Sequence, residues 1–238
     1  MELKPIRTRD VRGNYTQAQD VAYTTAESQK VLRNTYLLLA LTMLPTAIGA
    51  FVGMQTAGVI VASPILSSVV MLAAVIGLQF AIAANRNSGL GVALLLLMTG
   101  ILGWWLGPIL NVALSMSNGT ALVGYAAVGT GAIFMTMGVV AQTTKRDFSF
   151  MGKFLFVGMI ALLLAMFANM WLQIPALALT ISTLVIVVFS LFLLYDLQRI
   201  IRGGETNYVM ATTGVYLSLF NIFANLLYLL MALTGERE

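Results

Sequence analysis

A single carboxylate, Asp196, stands at the end of a run of about 20 almost uninterrupted apolar residues that opens at Ala176. It is the only acidic residue inside a long apolar stretch of this chain. A charged side chain at mid-bilayer costs about 2.5–3.5 kcal/mol on the insertion scale, and less near an interface. Counted from Pro175 at about 1.5 Å per residue, Asp196 lies roughly 30 Å along a helix, at one boundary of the hydrocarbon. Two arrangements are open: an interfacial carboxylate paired with Arg199 one turn on, or a buried group facing a helix bundle. Further along, Gly214, Ser218, Asn221 and Asn225 recur at spacings of four, three and four residues, which places them on one helix face. Three polar side chains aligned in hydrocarbon should face protein, either bonding between helices or lining a polar path for permeation or sensing. Asp196, Ser218, Asn221 and Asn225 thus form a candidate polar or ion-sensing site, with Arg199 and Arg202 as partners at the cytoplasmic helix end.

Other chemistry is largely excluded. The chain contains no Cys and no His, which removes disulfides, thiolate nucleophiles, His-based proton relays and His-ligated metal or haem. One carboxylate cannot make an intramembrane aspartyl dyad, and the last apolar stretch holds no Lys for a retinal-type Schiff base. No Walker motif, metal cluster or Ser–His pair is present. The expectation is a protein that is not an enzyme and uses no cofactor and no metal.

The elements that must position these residues are membrane helices. The chain has 238 residues, of which 59% are hydrophobic and only 9% charged, against about 25% charged in soluble domains. Stretches long enough to cross about 30 Å of hydrocarbon fall at 34–54, 59–83, 90–110, 121–142, 152–172, 176–198 and 210–233. The predicted fold is an all-α membrane protein, a seven-transmembrane-helix bundle over residues 31–238. Residues 1–30 are polar, lack the apolar core of a cleavable signal peptide, and read as a flexible cytoplasmic tail. Pro175 suits the first turn of the sixth span, and Thr206 or Asn207 suits the cap of the seventh after the Gly203-Gly204 break. Pro45 should kink the first span. Gly100, Gly103 and Gly107 in the third span, and Gly124, Gly129, Gly131 and Gly138 in the fourth, predict close helix packing, with a pore lining as the alternative.

Basic residues set the orientation. Lys4, Arg7, Arg9, Arg12, Lys30 and Arg33 precede the first span, and Arg86, Lys145, Arg146, Lys153, Arg199 and Arg202 sit at alternate connections. The connections near 55–58, 111–120 and 173–175 carry none. The positive-inside rule then places the N-terminus in the cytoplasm and, after seven crossings, the C-terminus in the periplasm, with Arg237 as the lone exception. The net charge of +4 follows this topology and gives no sign of nucleic-acid binding.

The text "YDLQRIIRGGETNYVMATTGVYLSLFNIFANLLYLL" resembles the C-terminal signature of the Bax inhibitor (transmembrane Bax inhibitor motif) family. "KVLRNTYLLLALT", "LGPILN", "LQIPALALTIS" and "GGETNYVMAT" are similar to a bacterial branch of that family, in the same order and over essentially the whole chain after Lys30. The resemblance implies a multi-pass protein of the bacterial inner membrane. For this branch it implies association with the membrane-anchored AAA+ protease FtsH, as a modulator and inhibitor. In other members it implies a pH-sensitive cation (calcium) leak, in which an Asp of the sixth span pairs with an Asp of the seventh. Asp196 matches the first of that pair, whereas Ser218 stands where the second would be. Two close carboxylates can share one proton; an Asp–Ser pair has no such like-charge coupling.

Overall fold

The structure is a computed structural model that describes the backbone of residues 8–146, 148 and 150–234, and side-chain surroundings from residue 26 onward within those limits. Among the described residues every regular element is a helix: α1 (Thr8–Gln55), α2 (Ala57–Val61), α3 (Pro64–Ala84), α4 (Gly89–Ser115), α5 (Gly119–Thr143), α6 (Met151–Leu172), α7 (Pro175–Ile201) and α8 (Tyr208–Thr234). Seven of them are long and apolar enough to cross a membrane, with α1 contributing Ala26–Gln55. The all-helical, seven-span expectation therefore holds. The backbone of residues 8–30, read from the sequence as tail, is helix continuous with the first span. Residues 1–7, and Arg237 near the C-terminus, lie outside the described residues.

Local chemistry sets most boundaries. Between α6 and α7, Gln173 adopts a left-handed conformation (φ 51°) and Ile174 an extended one before Pro175 opens α7. Proline at that position gives up only an N–H that the helix start leaves unpaired anyway. At the other end of α7, Gly203 takes φ 74°, the turn that ends a helix and that glycine adopts without penalty. Asn207 then caps α8, its Oδ1 accepting from the N–H groups of Val209 (3.0 Å) and Met210 (3.1 Å). One boundary differs from expectation. The second span does not begin at residue 59, because residues 57–61 form the separate short α2 and the chain breaks at Ser63. Pro64 disfavours helical backbone at the residue before it, and apolar character running through the break hides it from a hydropathy reading.

α1 and α4 pack with their backbones in direct contact. A Cβ on Gly103 would collide with the Thr46 carbonyl, one on Gly49 with that of Gly100, and one on Gly107 with the backbone of Gly53. Glycine at these positions lets two backbones touch, which is how helices associate where no hydrophobic force acts between them. The glycines of the fourth span behave otherwise. Gly124, Gly131 and Gly138 have nothing within 4 Å of a would-be Cβ, and Gly129 meets only the flexible end of Leu226. Expected close packing is thus found in α4 and not in α5.

α8 is in contact with α1, α3, α4, α5 and α7. Val215 and Ile222 on it are fully buried, as are Leu193 and Leu197 of α7 and Leu95 and Met98 of α4. At one end the α7–α8 connection binds its neighbours: Asn207 Nδ2 donates to the Arg86 carbonyl (2.9 Å) and to Asn87 Oδ1 (2.8 Å). Gln198 and Arg202 both donate to the Arg146 carbonyl. The basic connections therefore meet at one end of the bundle.

Candidate functional site

Asp196 projects from α7 toward α8, opposite Gly214. A Cβ at Gly214 would lie 2.7 Å from Asp196 Oδ2, so the missing side chain makes the space that the carboxylate fills. The group borders a cavity of about 170 Å³ whose polar lining is Gln79 of α3, Asp196 and Arg199 of α7, Glu205 of the connection and Thr213 of α8. Of the two arrangements left open by the sequence, the side chain takes the one that faces the bundle.

The basic partner proposed for it is engaged elsewhere. Arg199 Nη2 lies 3.2 Å from Glu205 Oε2, and Arg199 Nε donates to the Gly204 carbonyl at 3.2 Å. Glu205 Oε1 in turn accepts from the Asn207 N–H at 3.0 Å, so the pair straps the connection at the cavity's edge. Arg202 reaches in another direction, with Nη2 2.6 Å from the Arg146 carbonyl. Helix geometry accounts for the division: α7 ends at Ile201, and the left-handed turn at Gly203 brings Glu205 back beside the last turn.

The polar stripe of α8 is only partly joined to this site. Ser218 is buried at 2% exposure, but it does not line the cavity, and the α8 residue against Asp196 is Gly214, one turn earlier. Asn221 Nδ2 donates to the Leu217 carbonyl (2.8 Å) and Asn225 Nδ2 to the Asn221 carbonyl (2.9 Å). These amides thus bond back to their own helix, whereas bonding between helices was one of the two arrangements the sequence left open. A side chain four residues on from a carbonyl can reach it locally, which competes with any partner across the interface.

The match to known proteins extends over most of the chain. A family model described as "Inhibitor of apoptosis-promoting Bax1" matches residues 28–235. The chain belongs to the Bax inhibitor family. A membrane protein of Vibrio cholerae is 40% identical over 206 residues, covering 87% of this chain and 91% of that one. A protein of Escherichia coli K12 named "Modulator of FtsH protease YccA" is 40% identical over 203 residues, covering 85% and 90%. Its counterpart in E. coli O6:H1, with the same identity and coverage, is named "Inner membrane protein YccA". With seven span-length helices and relatives so named, this Bax inhibitor family member is a multi-pass protein of the bacterial inner membrane.

Several residues at the centre of this family member were not singled out from its sequence. Gln79 is the only amide in the apolar run of the second span, and that isolation was a usable signal. Glu205 lay in plain view within "GGETN", but nothing local indicated that it folds back on Arg199. The interhelical bonds sought along the asparagine stripe are made instead by Tyr216, which is 2% exposed. Its hydroxyl lies 2.8 Å from Thr46 Oγ1 of α1 and 3.3 Å from the Thr99 carbonyl of α4. Thr46 Oγ1 also lies 2.7 Å from the Thr42 carbonyl, so the two hydroxyl protons of Thr46 and Tyr216 serve three contacts, and either hydroxyl can donate to the other.

Proposed function

We propose that this protein is a membrane-embedded partner of an FtsH-type AAA+ protease and modulates it as an inhibitor. The observation that carries the reading is the 40% identity, over 85% of this chain and 90% of the other, to an E. coli protein named as a modulator of that protease. In this reading the N-terminus and the basic connections are cytoplasmic and the C-terminus is periplasmic. Residues 1–30 then lie on the side where a membrane-anchored AAA+ protease works, as a polar handle whose backbone is helical over residues 8–30. The bundle contributes no reaction of its own. A stable seven-helix body is hard to extract from the bilayer, so an engaged handle occupies the protease without being consumed.

The test is co-purification in mild detergent followed by a degradation assay. Full-length protein should retain the protease and slow its cleavage of a second membrane substrate, whereas a variant lacking residues 1–30 should lose the inhibition. If neither form captures the protease, the proposal fails. Ion flux in liposomes holding this protein alone would favour a cation leak instead.

A further inference from the structure

We infer that the α5–α6 connection and the first turn of α6 form a docking surface for anionic phospholipid headgroups. Lys145 and Arg146 are exposed in the connection, and Lys153 is exposed in the first turn of α6. With Asp147 included, residues 145–153 carry a net charge of +2. Beside these cations stand two aromatic rings one helical turn apart, Phe150 at 65% exposure and Phe154 at 74%. Exposed phenylalanine next to exposed lysine and arginine suits the boundary between headgroups and acyl chains, where rings enter the apolar layer and cations meet phosphate.

The connection is tethered from beneath. Gln198 of α7 is 2% exposed, yet both ends of its amide serve the connection. Its Nε2 donates to the Arg146 carbonyl at 2.8 Å and its Oε1 accepts from the Phe148 N–H at 2.8 Å. Arg202 donates to the same Arg146 carbonyl. A buried amide committed in this way fixes the height of the loop and leaves its cationic side chains on the outside. α6 packs chiefly on α7 and so stands at the edge of the bundle, where lipid has access to its first turn. An acidic protein segment could meet the same charges, but it would have no use for two phenylalanines at the head of a lipid-facing helix.

The experiment uses the full-length protein in mild detergent, with phosphatidylglycerol or phosphatidylcholine added and bound lipid counted by native mass spectrometry. Phosphatidylglycerol should bind preferentially. Lys145→Gln and Lys153→Gln should each weaken it about fivefold, the effect of one basic residue at an anionic surface. The triple change K145Q/R146Q/K153Q should weaken it about a hundredfold while phosphatidylcholine binding stays constant. Phe150→Ala with Phe154→Ala should weaken both lipids, an outcome a free anion or an acidic peptide would not give. Arg86→Gln removes an exposed cation from the neighbouring connection and should leave binding unchanged. Undiminished phosphatidylglycerol binding in the single and triple variants would overturn the proposal, as would an equal loss in Arg86→Gln.

Discussion

At the scale of residues, the contact between Asp196 and Gly214 is the sharpest constraint near the cavity. Adding a methyl group at Gly214 places a carbon 2.7 Å from the Asp196 carboxylate, and overpacking of this kind costs about 1–3 kcal/mol. Alanine is also the better helix former by about 1 kcal/mol, so Gly214→Ala should be destabilising by a modest margin in wild-type protein. In an Asp196→Ala background the obstruction is gone and the same change should become neutral or stabilising. Unfolding of the four proteins in detergent, analysed as a double-mutant cycle, measures that reversal; additive effects would mean that the two positions do not meet. A second prediction concerns Tyr216→Phe, which removes the hydroxyl bridging α1, α4 and α8. Side-chain hydrogen bonds inside membrane bundles average about 0.6 kcal/mol and reach about 1.7. The loss should fall within that range, because Thr46 keeps its own bond to the Thr42 carbonyl; denaturation in mixed micelles reads it directly. The site was legible in the sequence to the extent that its chemistry is rare. One acid in a long apolar run stands out, and so does the face that begins with Gly214. Which residue of that face meets the acid depends on the rotation and vertical register of α7 against α8. No spacing within either helix encodes those quantities, so Ser218 was favoured where Gly214 makes the contact.

At the scale of elements, the same glycine signal had two outcomes. Gly107 lies so close to Gly53 that any side chain must drive α1 and α4 apart, whereas Gly131 has open space around it. Gly107→Ala should therefore lower stability by several kcal/mol or prevent assembly, since backbone cannot yield as a side-chain tip can. Gly131→Ala should be neutral, or stabilising by about 0.5–1 kcal/mol through reduced chain entropy. Comparing the two in thermal unfolding with helix content as readout tests the assignment, and similar losses in both would contradict it. The sequence alone could not separate these cases, because small residues suit both a helix contact and a lipid-facing surface. Helix ends were more legible, since they depend on chemistry within a few residues: Pro175 at the start of α7, the Gly203-Gly204 stop and the Asn207 cap all lie where local rules put them. The break at Ser63–Pro64 is the informative failure. Hydropathy continues across it, and only proline's effect on the preceding residue divides α2 from α3.

At the scale of the whole molecule, the decisive quantity is the sidedness of its charge. The connections containing Arg86, Arg146 and Arg202 are joined by hydrogen bonds at one end of the bundle, while the α4–α5 connection around Asn118 carries no Lys or Arg. By the positive-inside rule this asymmetry predicts that the end carrying the basic connections is the cytoplasmic one. Because the chain has no Cys, one introduced thiol at a time reports its own side. Arg86→Cys and Asn118→Cys suit the purpose: Arg86 is exposed and bonds to Asn207 through its backbone carbonyl, and Asn118 makes no side-chain cap bond to α5. A membrane-impermeant maleimide should label Asn118→Cys in spheroplasts and Arg86→Cys only in inside-out vesicles. Labelling of both from one side would break the alternation of the seven spans. The opposite pattern would keep the bundle and reverse its orientation, which puts residues 1–30 across the membrane from a cytoplasmic AAA+ motor. Proteolytic regulation through that segment would then be physically impossible, while the cavity at Asp196 and the packing of α1 on α4 would stand unchanged. Orientation thus separates the fold, which rests on contacts, from the proposed function, which rests on which compartment those contacts face.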